Sequence, residues 1–254
     1  MSDDYYGFCE RLWRDWLRGS LDVSAFVRRT FDLDAAPEPY ISFDAGPQPL
    51  VALTTNPGTT MPHQRRGAVQ AAGGPLRPDM TYATAAQELG AFYERELDGP
   101  ANRRTIALKR LSSMVGLDGV LQVEVCPFHS PSLPNKNALL KAAGTDELIR
   151  SYVTHVRSVV RAQPVVVVSA VATRASLAHD TSLSPWVTWI AGLAGLDPSG
   201  ASFVPLVVKG AKTTCGAFVG LSGGAPKALV LMMGSNQLPG KDGLETLAGA
   251  LRKP

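Results

Sequence analysis

Two short stretches hold the residues with the most distinctive chemistry. Leu53-Thr54-Thr55-Asn56-Pro57-Gly58-Thr59-Thr60 ends an apolar run in a tight turn that exposes one carboxamide. Glu124-Val125-Cys126-Pro127-Phe128-His129-Ser130-Pro131 ends another in a stiff loop that sets an imidazole between two prolines. A carboxamide orients a water through its carbonyl oxygen but has no useful basicity, so Asn56 reads as a positioner and not as a general base. His129 is suited to donating a hydrogen bond to a leaving group. The alternative for the pair is an Asn-Pro turn and a structural histidine.

Glu124 is a third candidate. In an extended run Leu121, Val123 and Val125 share one face, so Gln122, Glu124 and Cys126 share the other, and a carboxylate near the end of a buried strand needs a partner. It reads either as an acceptor for a ligand or as half of a salt bridge with a nearby Lys or Arg. Two other signals fail. Gly220-Leu221-Ser222-Gly223-Gly224 matches a nucleophile elbow, but the last histidine, His179, precedes Ser222, and a turn before a strand explains the match better. Cys126 and His129 have metal-ligand spacing without a second pair, so no metal site is expected, and no cofactor is called for.

These residues need a scaffold. Four runs read as buried strands: Leu50 to Thr55, Val120 to Cys126, Pro164 to Val171 and Ala228 to Met233. Between the second and third, Leu148, Ile149, Tyr152, Val153, Val156, Val159 and Val160 form one helical apolar stripe. Strand and helix in alternation predict an α/β fold, a three-layer α/β/α arrangement around a four-stranded, mainly parallel sheet. Phe203 to Val208 and Cys215 to Leu221 flank Gly210 and read as a β-hairpin inserted before the fourth strand. Upstream, Phe8, Leu12, Trp13, Trp16 and Leu17, then Val23, Phe26, Val27 and Phe31, read as two amphipathic helices. A Pro-rich linker around Pro37, Pro39 and Pro47 follows. The expected division is a helical segment over residues 1–44 and an α/β domain over residues 45–254.

At the two strand ends the chain resembles the uracil-DNA glycosylase superfamily. Thr55-Asn56-Pro57-Gly58 looks like that family's first motif in its G-x-N-P-G form. Met233-Gly234-Ser235-Asn236-Gln237-Leu238-Pro239 stands where the second motif, typically H-P-S-P-L, follows the last strand, with Met233 at the position where many members carry a catalytic histidine. The resemblance spans roughly residues 50 to 245 and implies a four-stranded parallel sheet between helices. It implies hydrolysis of the N-glycosidic bond of a flipped base, leaving an abasic site, with DNA as the partner. Asn56 then positions water, and His129 takes the role of the missing histidine. Glu124, Tyr82 and Ser235 contact the base, Glu124 suiting the N4 amino group of cytosine better than O4 of uracil. Arg65, Arg66 and Lys136 hold phosphates, free surface charge being the alternative for each. Tyr93, in a helical pattern with Leu89, Phe92 and Leu97, reads as core. The form most resembled is the phage-defence glycosylases that excise glucosylated hydroxymethylcytosine. Excision of uracil or mismatched thymine, or nucleic-acid binding without catalysis, are the other readings.

Composition limits the field without choosing within it. With 254 residues, 45% of them hydrophobic, the chain can bury a large core. Its net charge of +3 hides an uneven distribution: residues 1–44 hold nine acids and five bases, the remainder 13 acids and 20 bases. A basic body with an acidic start is compatible with a phosphate-rich partner. Cys9, Cys126 and Cys215 are odd in number and widely spaced, which points to reduced thiols in the cytoplasm. Met1-Ser2-Asp3-Asp4 does not read as a secretory signal, and no run reaches the ~18 apolar residues of a membrane span.

Overall fold

A computed structural model of the chain describes residues 3–55, 58, 60–96, 100–130, 136–161, 163–171, 183–207, 214–233 and 238–253. The elements in chain order are α1 (Asp3–Arg18), α2 (Ala25–Thr30), β1 (Tyr40–Phe43), β2 (Leu50–Thr54), a 3-10 turn (Pro62–Gln64), α3 (Arg66–Gln70), α4 (Tyr82–Glu96), α5 (Pro100–Met114) and β3 (Val120–Glu124). They continue with α6 (Lys136–Thr145), α7 (Glu147–Arg161), β4 (Val165–Val171), α8 (Pro185–Leu193), β5 (Ser202–Val207), β6 (Thr214–Ser222), β7 (Ala225–Met233) and α9 (Lys241–Leu251). The fold is mixed α/β, with one seven-stranded mixed sheet in the order β1-β3-β2-β4-β7-β6-β5 among the described residues.

The four expected strands lie side by side in that order as β3, β2, β4 and β7, but the sheet does not stop at four. The expected hairpin is antiparallel, with Phe203 opposite Phe218, and it extends the same sheet because β6 also pairs antiparallel with β7. Gly223 and Gly224, both at positive φ, make the two-residue turn from β6 to β7 and account for the elbow-like sequence. The seventh strand, β1, lies where the sequence reads as a linker, since four residues flanked by prolines leave too little periodicity to register as a strand.

Contacts divide the chain into two compact units: Met1–Ser42 with Thr54–Arg95 and Gln122–Val159, and Phe43–Leu53 with Glu96–Leu121 and Val160–Pro254. Residues 1–42 therefore fold together with both loops of chemical interest. In this first unit α1 buries Phe8, Leu12, Trp13 and Trp16, and the two indoles stack at 5.2 Å. Their N–H groups donate to the carbonyls of Met80 and Leu33, each at 3.1 Å, so neither is buried unpaired. Asp146 accepts from the backbone N–H of Ser24 at 2.7 Å and of Ile149 at 3.0 Å, joining the start of α2 to the start of α7. Within this unit α7 buries Ile149, Tyr152, Val153, Val156 and Val159, the predicted stripe.

Residues 31–39 form a strap that is buried from Ala35 onward. Pro37 and Pro39 have no N–H to satisfy, and the residue before each does the donating: Ala36 N–H to the Gln64 carbonyl and Glu38 N–H to the Pro127 carbonyl, both at 2.8 Å. The Pro39 carbonyl accepts from Glu124 N–H at 3.0 Å, the Tyr5 hydroxyl at 3.1 Å and the Tyr152 hydroxyl at 2.9 Å. The helix α4 comes so close to β1, which follows the strap, that a Cβ on Gly90 would stand 1.9 Å from the Ser42 carbonyl oxygen. Gly90→Ala is expected to lower unfolding free energy by ~3 kcal/mol or more, read by urea denaturation, because backbone has to move to admit the methyl.

The second unit is built on parallel pairing of β2 with β4, Val51 opposite Val165, and of β4 with β7, Val165 opposite Lys227. Val165, Val166, Val167, Leu229, Val230 and Leu231 are all buried, as strands covered on both faces require. Lys227 is wholly buried as well. Its ammonium donates to the Val160 carbonyl at 2.7 Å, the Arg161 carbonyl at 3.0 Å and the Gln163 carbonyl, closing the carboxyl end of α7. Lys227→Met should cost ~2–4 kcal/mol of stability in the same assay, since three buried carbonyls lose their donor.

Candidate functional site

The loops that follow β2 and β3 are fastened to one another by backbone alone. Val125 N–H donates to the Thr54 carbonyl at 2.8 Å, Cys126 N–H to the Thr55 carbonyl at 3.0 Å and Ser130 N–H to the Gly58 carbonyl at 3.0 Å. Gly58 has φ +85°, a left-handed value that favours glycine and lets the chain reverse there. Asn56 lies outside the described residues, but the residues on either side of its turn are thus both bonded to the His129 loop.

The strap runs between these loops and bonds to each. Asp32 N–H donates to the His129 carbonyl at 2.9 Å, and Arg66 N–H to the Asp34 carbonyl at 2.9 Å. Thr60 Oγ1 donates to the Asp32 carboxylate at 2.8 Å. In the middle of the strap Glu38, 1% exposed, brings a carboxylate into a polar cluster. Tyr93 Oη donates to Glu38 Oε1 at 3.0 Å, and Gln64 Nε2 also donates to that oxygen. Gln64 Nε2 lies 2.7 Å from Tyr93 Oη, while Gln64 Oε1 accepts from Met61 N–H at 2.6 Å. His129 Nε2 stands 3.5 Å from Glu38 Oε1, an ion-pair separation, and the imidazole is fully buried.

Two histidines share that carboxylate and respond oppositely. For His129 burial works against the charged form, but the charge and hydrogen bonding of Glu38, with Glu124 and the Gly58 backbone adding to them, outweigh it and raise the imidazole above its ordinary value of 6.5. For His63, burial dominates, Glu38 helps less and His129 repels, so its value falls. His129 is thus shifted toward the charged form and His63, packed on Phe92 at 4.4 Å, toward the neutral one. Burial also drives the Tyr93 hydroxyl up, assisted by the charge of Glu38, so it stays a donor. The Cys126 thiol is pushed up to about 12 by burial, which removes it as a thiolate nucleophile.

Glu124 is 1% exposed and shares a face with Gln122, whose Nε2 donates to Glu124 Oε1 at 2.7 Å, the pairing its strand alternation allows. The other predicted residues are dispersed. Tyr82 is a correction to the base-wall expectation: it is 1% exposed, its hydroxyl donates to the Tyr40 carbonyl at 2.7 Å, and Tyr40 packs edge-on at 5.0 Å, so no ring face is open to a ligand. Arg65 is half exposed but meets Asp34 at 3.1 Å and Asp32 at 3.4 Å. Arg66 lies over the Trp16 ring at 5.4 Å and donates to the Leu33 carbonyl at 3.3 Å, a packing role and not a free phosphate clamp. Lys136 opens α6 with its side chain outside the described residues, and Ser235 lies outside them altogether.

The residues that sequence reasoning missed are Glu38 and Gln64, together with the polar use of Tyr93. One signal was present: Glu38 is the lone charge between Ala35 and Phe43. Among the described residues no group of three His, Cys, Asp or Glu side chains could hold a metal, and no helix is long and apolar enough to cross a membrane. Comparison with protein families, with curated proteins and with solved structures gives no match.

A raised folded-state value means that the stabilisation from His129 is complete below about pH 6.5 and lost as pH rises through that raised value. Lys227, pushed down from 10.5 to about 8 by burial, acts in the opposite sense above about pH 8. Unfolding free energy should therefore fall between about pH 6.5 and 8. His129→Gln should flatten that slope in a pH series of denaturant titrations.

Proposed function

We propose that the protein is a DNA glycosylase that hydrolyses the N-glycosidic bond of a flipped base. The observation that carries this reading is the bonding of Thr55 and Gly58, which bracket Asn56 in sequence, to the His129 loop by Cys126 and Ser130. Thr55 directly follows β2, at its carboxyl end, the end of a sheet strand where open α/β sheets take their ligands. In the reaction the side-chain oxygen of Asn56 orients a water toward the anomeric carbon. The C–N bond breaks toward an oxocarbenium-like sugar, the electron pair leaves with the base, the water oxygen bonds to the sugar and its proton passes to the departing base. His129, fully buried, acts behind the turn through its charge and its hold on the loop.

A parallel core of β3, β2, β4 and β7 flanked by helices is the three-layer scaffold such an enzyme would use, with β1 and the β5–β6 hairpin as additions. Glu124, steadied by Gln122, favours a base with an exocyclic amino group, and we take glucosylated hydroxymethylcytosine as the substrate base, in a cytoplasmic defence role. Complete burial of His129 and Glu38 favours a second reading, a module that holds nucleic acid without cutting it.

A duplex panel with uracil, mismatched thymine, hydroxymethylcytosine and glucosylated hydroxymethylcytosine separates these readings, with alkaline cleavage reporting abasic sites. Abasic product from the glucosylated base, lost by about 100-fold or more in Asn56→Ala at unchanged melting temperature, is the expected result. Product from uracil alone overturns the substrate assignment. Tight binding without product from any duplex supports the binding module instead.

A further inference from the structure

We propose that Glu38 is the positioning residue of this site: delivered by the 31–39 strap between the loops that follow β2 and β3, its carboxylate sets the orientation and charge of the His129 ring. The inference rests on the glycosylase reading and adds to it a residue from a segment that the reading does not otherwise use. Its geometry is independent of that reading. Glu38 N–H is bonded to Pro127 at 2.8 Å, two residues before His129, so the carboxylate and the imidazole are held on neighbouring backbones. Gln64 and Tyr93 both donate to Glu38 Oε1 and aim it, leaving the carboxylate rotamer no freedom to turn away from His129 Nε2 at 3.5 Å.

The consequence is a direct link from the strap to the loop after β3, Glu38 to His129. The charged and titratable groups around His129 are Glu38 on the strap, Glu124 at the end of β3 and His63 on the 3-10 turn, while Tyr93 and Tyr82 of α4 face Glu38. Of these Glu38 is the nearest opposite charge to the imidazole, so its removal is what changes the ring's proton affinity most.

The test compares Glu38→Gln and Glu38→Asp with the wild-type chain by two readouts: the midpoint of the His129 ring-proton titration by NMR, and the pH profile of base excision on the preferred duplex. Glu38→Gln keeps an acceptor for Gln64 and Tyr93 but loses the charge, and the His129 midpoint should fall by about one pH unit or more. The alkaline limb of excision should fall with it, giving about tenfold slower excision above the wild-type midpoint and wild-type rates at low pH. Glu38→Asp should retain most of both, which guards against a variant that merely folds poorly. An unmoved His129 midpoint in Glu38→Gln overturns the proposal, and so does a moved midpoint with an unmoved excision profile. Absence of excision by the wild-type chain on every duplex of the panel overturns the glycosylase reading, and the positioning role with it, whatever the titration gives.

Discussion

Glu38 stands between two prolines in the buried half of the strap, and a carboxylate removed that far from water costs several kcal/mol unless donors or an opposite charge meet it. Much of the first compact unit is arranged around meeting that demand. Tyr93 comes from α4, Gln64 from the 3-10 turn and His129 from the loop after β3, each set by a different stretch of chain. Because the prolines carry no N–H, this part of the strap can be buried with few backbone donors to satisfy, and those of Ala36 and Glu38 go to the carbonyls of Gln64 and Pro127. One buried charge thereby ties together segments that are far apart in sequence.

The same carboxylate separates the two histidines near it. His129 is close enough for attraction to overcome its desolvation, whereas His63 is governed by burial and by the repulsion of the other ring. Two residues identical in type are thus pushed in opposite directions, and the difference comes from where each sits relative to Glu38, to solvent and to the other ring. In the second unit Lys227 faces a comparable problem and is met differently, by carbonyl oxygens at and just beyond the end of α7, with no counter-ion among the described residues. Carbonyl dipoles satisfy its hydrogen bonds without cancelling its charge, which is why its proton affinity falls while that of His129 rises.

Local pattern was enough to read much of the scaffold. The buried strands at Leu50, Val120, Val165 and Ala228, the stripe of α7, the hairpin of β5 and β6 and the sharing of one face by Gln122 and Glu124 all follow from apolar period and turn residues. The strand β1 escaped because it is short and lies among prolines, and Tyr82 was misplaced because an aromatic after Pro78-Asp79 looks the same whether it faces a ligand or the core. Arg65 and Arg66 read as free cations for a similar reason: their partners, Asp32, Asp34 and the Trp16 ring, come from the first helices and the strap.

The sequence by itself determined the α/β class, the alternation of strands and helices, and the two strand-end loops where chemistry was sought, since each depends on the period and composition of neighbouring residues. Tertiary structure decided that the sheet has seven strands among the described residues, that the Pro-rich stretch is a buried strap, and that His129 is answered by Glu38. Those outcomes depend on which distant segments meet, a quantity set by packing and by the pairing of buried charge, and no local pattern of one chain encodes it.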